Sequence, residues 1–111
     1  MQDPMLDVNG MPTQDTLWEI QFWPATLGWR PLMAYVQRVW RWREHYFHET
    51  EPSDGSAVEF ELWTGGAPGN ERLVRALAYN DPFWETCWQA TMRGGRYRFR
   101  VPTQAWREHA P

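Results

Sequence analysis

The sequence predicts one α+β domain, and three observations lead to it. Apolar and charged residues alternate strictly through VEFELW (58–63) and RYRFRV (96–101), which marks two strands with one buried face each. Asp81-Pro82 opens a run in which Trp84, Cys87, Trp88 and Thr91 recur at helical spacing. A length of 111 residues, 42% hydrophobic and 23% charged, supports a single core.

The elements follow in chain order. Residues 1–14 hold two prolines, a glycine and no periodicity, and are expected to be a flexible lead-in to a domain spanning 15–111. Thr16 to Trp23 alternates, with Trp18, Ile20 and Phe22 on one side and Glu19 and Gln21 on the other, which predicts a strand. Pro24, Gly28 and Pro31 punctuate a loop. Residues 32–47 carry two patterns. Leu32, Tyr35, Val36, Val39 and Trp40 fit a helical stripe, while VWRWRE has the aromatic and β-branched content of a strand. ETEPSDGS (49–56) and TGGAPGN (64–70) read as loops, and Leu73 to Tyr79 as a short strand. In the helix expected over 81–93, the Asp accepts hydrogen bonds from free first-turn amides, and Pro loses nothing where no N–H partner exists. Gly94-Gly95 is read as its C-terminal stop. In the strand that follows, Tyr97, Phe99 and Val101 point inward and Arg96, Arg98 and Arg100 outward.

Composition excludes several functions. A net charge of −3 argues against a dedicated nucleic-acid binder. One cysteine excludes an internal disulfide. All eleven basic residues are arginine, so Schiff-base chemistry and lysine-based phosphate binding are out. No apolar run approaches the roughly 20 residues that span a bilayer. The acidic start lacks the charge and apolar middle of a secretory signal. The expectation is a soluble, cytoplasmic protein. Nine tryptophans far exceed ordinary usage and fit either a core of large side chains or an aromatic binding surface.

The segment DPFWETCWQATMRGGRYRFRVPTQAW (81–106) resembles the FKBP family of peptidyl-prolyl isomerases. The matching positions are Pro82, Trp84, Glu85, Gly94, Gly95, Arg96, Arg98, Val101 and Pro102. Upstream, Pro52, Gly55, Val58 and Trp63-Thr64-Gly65 are similar to the family's turn and following strand. The likeness covers about half the chain, residues 50–106. It implies a curved antiparallel sheet, a half-barrel, wrapped around one short helix. It also departs from the family pattern. The connection from Gly65 to Pro82 is short and lacks the family's Phe-Asp pair, Leu73-Val74 being the nearest counterpart. Trp63 stands where the family has tyrosine, and Trp106 lies one residue short of another family tyrosine. The family's flap and closing strand would follow residue 106, so Thr16 to Trp23 is expected to supply that strand, as in a circular permutation. The same resemblance tips 39–47 toward strand.

The resemblance implies a pocket floored by Trp84 and lined by Trp63, Tyr97, Phe99, Val101 and Trp106. Such a cavity lowers the rotation barrier of an X-Pro bond, about 18–20 kcal/mol, without nucleophile, metal or cofactor. The bland reading of Trp84 is core packing. Arg96, Arg98 and Arg100 form a basic band with Arg93; such a row is usually a solvated strand face, and it also suits carboxylate contacts with a partner. His45 and His48 with Glu44 and Glu49 are too few for a zinc site. Cys87 reads as an inert buried thiol, and the glycine-rich 64–70 stretch lacks the Lys-Ser/Thr of a P-loop. The missing Phe-Asp and flap favour a protein-binding module in a larger assembly, taking a protein or proline-containing peptide. The alternative is an active isomerase.

Overall fold

The computed structural model describes residues 3–103. Helix α1 (Gln14–Gln21) and a 3-10 turn (Ala25–Leu27) lead to α2 (Trp29–Val39) and the one-turn α3 (Arg43–Tyr46). Strands β1 (Phe47–Thr50) and β2 (Ala57–Trp63) follow, then α4 (Pro68–Tyr79), α5 (Asp81–Cys87), β3 (Trp88–Met92) and β4 (Arg96–Pro102). The four strands form one open antiparallel sheet in the order β1-β2-β4-β3. The class is α+β, as expected, but several helices rather than one lie against the sheet. Among the described residues, no helix is long and apolar enough to cross a membrane.

The alternation at 58–63 and 96–101 places both strands as read. Val58, Phe60 and Leu62 face the helices, paired in register with Val101, Phe99 and Tyr97. Phe60, Phe83 and Phe99 are the largest side chains sealed in the core, joined by Ile20, Leu32, Met33, Leu73 and Leu77 from the helices. Removing about 25 cal/mol per Å² of apolar surface from water drives this packing.

Four sequence expectations are corrected. Thr16 to Trp23 is not a closing strand: residues 14–21 are helical. The Thr13 hydroxyl accepts from the Thr16 amide at 3.2 Å, and Asp15 sits in the first turn. Large apolar residues on both faces make the segment look two-periodic, yet the buried set is Thr16, Ile20 and Trp23, at helical spacing.

Residues 29–39 are helix α2, as the apolar stripe suggests, with Leu32, Met33, Tyr35, Val36 and Val39 buried on one face, whereas 39–46, tipped toward strand by the resemblance, holds the end of α2 and the one-turn α3. Pro31 does not end it, because the first turn has no amide acceptor to lose. Strand structure begins only at Phe47. The stretch 73–79 belongs to α4, which starts at Pro68 and buries Asn70, Leu73, Val74, Ala76 and Leu77.

The helix opening at Asp81 is shorter than expected. It is capped by Asn80, whose Oδ1 accepts from the Phe83 amide at 3.2 Å, and it ends at Cys87. Residues 88–92 are strand, and Gly94-Gly95 makes the β3–β4 hairpin turn rather than a helix stop. Both glycines hold φ near +80°, at +82° and +76°, where other residues strain. A Cβ on Gly95 would also run into the Thr64 side chain.

Within the segment read as a lead-in, Asp7 Oδ1 accepts from the Asn9 and Met11 amides at 2.8 and 3.0 Å, and Leu6 bridges to Pro12. The Met5 amide donates to Thr16 Oγ1 at 2.9 Å, which ties this turn to α1.

Candidate functional site

The residues expected to line a pocket lie on both faces of the sheet. Phe99 and Val101 are sealed in the core, and Tyr97 packs beside them. Trp84, on α5, is half-buried; its ring stacks on Trp88 with centroids 5.9 Å apart and meets the edge of Phe99 at 5.5 Å. Trp63 lies on the opposite sheet face, beside Glu59, Glu61 and the arginines. Trp106 lies outside the described residues. Cys87 is fully buried, and burial pushes its thiol up to about 12, so no thiolate nucleophile forms near neutral pH.

The arginine band is largely paired across strands. Glu61 takes Arg96 at 2.6 Å and Arg98 at 3.5 Å, and Arg100 reaches Ser56 Oγ at 2.9 Å and Glu59 at 4.0 Å. Hydrogen bonding from Arg96 holds the Glu61 carboxyl below its ordinary range. Exposed pairs of this kind contribute about 0–1 kcal/mol each.

A different group of aromatics forms an open cleft at the end of the sheet. Trp42, His45, Tyr46 and Gly65 line about 240 Å³. The Trp42 and Tyr46 rings meet edge-on at 5.9 Å, and Tyr46 lies 5.6 Å from Trp63. Arg41 lies over the Trp42 ring at 4.6 Å, and Arg96 over the Trp63 ring at the same distance. The row therefore runs arginine, indole, phenol, indole, arginine.

Three local features build it. Trp42 sits in left-handed backbone at φ +58°, the one described residue besides glycine with positive φ. That conformation costs a bulky side chain roughly 1–2 kcal/mol, and strain of this sort collects at functional positions. The ring it holds is 45% exposed. Gly65, at φ +60°, lets the loop approach both rings: a Cβ there would meet Tyr46 at 3.0 Å and Trp42 at 3.2 Å. Asn70, 1% exposed on α4, fastens both sides. Its Oδ1 accepts from the Arg41 amide at 2.9 Å, and its Nδ2 donates to the Arg41 carbonyl at 3.1 Å and the Thr64 carbonyl at 3.2 Å.

The indole N–H groups of Trp40, Trp63 and Trp88 each find an oxygen within the fold. Among the described residues, nothing accepts from that of Trp42. Sequence reading named Trp63 and Arg96 but missed Trp42, Tyr46 and Asn70. The available signal was the dense Trp40-Arg41-Trp42-Arg43 run.

His48 Nε2 lies 2.6 Å from the His45 carbonyl. Among the described residues, no three His, Cys, Asp or Glu side chains gather as metal ligands.

No family model, curated protein or solved structure matches the chain.

Proposed function

We propose that this protein is a binding module that holds a proline-containing segment of a partner protein in the cleft lined by Trp42, His45, Tyr46 and Gly65. The observation that carries this reading is Trp42, kept half-exposed in strained backbone by buried Asn70 hydrogen bonds. A site whose walls are fixed before the ligand arrives spends less binding energy on ordering. At about 240 Å³ the cleft is smaller than the roughly 300–1,000 Å³ of sites that enclose a free small molecule, so it suits one or two side chains of a longer ligand. Aromatic-lined grooves take up proline-rich segments because the extended proline helix is already ordered. The Trp42 indole N–H supplies a donor for a peptide carbonyl.

The likeness to the FKBP family over residues 50–106 belongs to the same proposal. It is supported by the helix that opens at Asp81-Pro82 and by the antiparallel pairing of β2 with β4. Isomerisation of the bound X-Pro bond is its catalytic extension.

Titration of tryptophan fluorescence with a short proline-rich peptide tests the proposal. Saturable binding that weakens at least about tenfold in Trp42→Ala and is unchanged in Trp84→Ala is expected, since clefts concentrate binding energy in a few aromatic side chains. Absence of binding in the parent protein, or equal binding in Trp42→Ala, would overturn it. A protease-coupled assay on an Ala-Leu-Pro-Phe peptide reads the extension: acceleration lost in Trp84→Ala would move the site to α5 and make the protein an enzyme.

A further inference from the structure

Resting on the cleft as the binding site, we infer that its partner segment carries an aspartate or glutamate next to the docked proline, received by Arg41. The argument is one of charge. Arg41 lies against Trp42, and its backbone is held at both amide and carbonyl by Asn70, so the origin of this cation is fixed at the cleft. Among the described residues, no carboxylate lies within ion-pair distance of it.

The acidic groups nearby are engaged or lie elsewhere on the surface. Glu61 is saturated by Arg96, Arg98 and the Trp63 indole. Glu71, on α4, accepts from Thr64 Oγ1 at 3.2 Å and keeps its charge, but it makes no ion pair with Arg41. Glu44 sits in the first turn of α3 and makes no ion pair with Arg41. His45 adds a ring nitrogen to the lining rather than a negative charge.

The arginines also exclude the other usual guest of an aromatic cleft. A methylated ammonium needs open ring faces. Here Arg41 covers a face of Trp42 and Arg96 a face of Trp63, so a cationic guest would meet like charge at both ends of the row. A carboxylate meets the opposite: a planar fork of donors already positioned by stacking.

Three peptides that differ only beside the proline decide it, each titrated against the full chain: acetyl-Ala-Pro-Asp-Ala-amide, its Asn counterpart and its Lys counterpart. The aspartate peptide is expected to bind about threefold to tenfold more tightly than the Asn peptide, the span between an exposed ion pair and a charge-assisted hydrogen bond. The Lys peptide is expected to bind weakest. The preference is expected to shrink as salt rises and to vanish in Arg41→Gln. Equal affinities for all three would overturn this inference and leave the cleft reading standing. Binding of none would overturn both. A preference that survives Arg41→Gln would assign the carboxylate to another group and overturn the role of Arg41.

Discussion

Two asparagines sit at opposite ends of α4, Asn70 in its first turn and Asn80 at its C-cap, both almost fully buried, and they do the same chemistry to different ends. Asn80 donates to the Ile20 and Trp23 carbonyls at 3.0 Å each and caps α5 at the Phe83 amide. Everything around it is packed: Ile20 and Phe83 are 0% exposed and Trp23 is 5% exposed. Asn70 makes three comparable bonds, but the segment it ties ends in an indole that is 45% exposed and a strained backbone. At one end of the helix a buried amide serves the core. At the other it holds aromatic surface away from the core, which folding alone does not require.

The sharpest way to break this comparison is to remove each amide. Asn80→Ala is expected to destabilise the protein by about 1–3 kcal/mol in urea melts, because the Trp23 carbonyl and the Phe83 amide are left buried without partners, while Ile20 keeps its backbone donor. Peptide affinity of the folded fraction is expected to stay the same. Asn70→Ala is expected to lose less stability, since Arg41 and its neighbours can turn to water. In contrast to Asn80→Ala, it is expected to weaken peptide binding at least as much as Trp42→Ala. Equal binding in the two variants would remove the distinction.

A smaller stability effect isolates the strain. Trp42→Gly relieves left-handed backbone but loses ring contacts, so melts are expected to shift by less than about 1 kcal/mol either way. Binding is expected to disappear. A large loss of stability would instead mean that the Trp42 ring is part of the core.

The smallest effect concerns the paired face of the sheet. Arg96 holds Glu61 below its ordinary value of 4.5, so the stabilisation is complete above that pH. It is lost as pH falls through the depressed folded value. Glu61→Gln is expected to flatten the acid limb of the stability curve, read by thermal melts between pH 7 and pH 2. An unchanged acid limb would show that the pair contributes nothing.

What the sequence disclosed depended on whether one pattern dominated locally. The alternation at 58–63 and 96–101 had charges on every second residue, so only one sheet face could be buried, and both strands stand where expected. At Thr16 to Trp23, Trp18 and Phe22 are exposed at 55% and 71%, which disguised a helix as a strand. The Thr13 and Asp15 start signals were the better guide. At 94–95 two glycines fit a helix stop and a hairpin turn equally, and the partner strand decided between them.

The cleft was the least legible part. Its walls come from Trp42, His45, Tyr46 and Gly65, and its brace from Asn70, 29 residues after Arg41. No local spacing encodes that meeting. Resemblance drew attention to Trp84, whereas the exposed and strained indole is Trp42.

The most direct measurement follows the indole N–H resonances of the tryptophans by NMR while a proline-rich peptide is added. Trp42 and Trp63 are expected to move in a saturable way, with Trp84 and Trp88 stationary. Movement of Trp84 and Trp88 with Trp42 unperturbed would contradict the assignment of the binding site to this cleft.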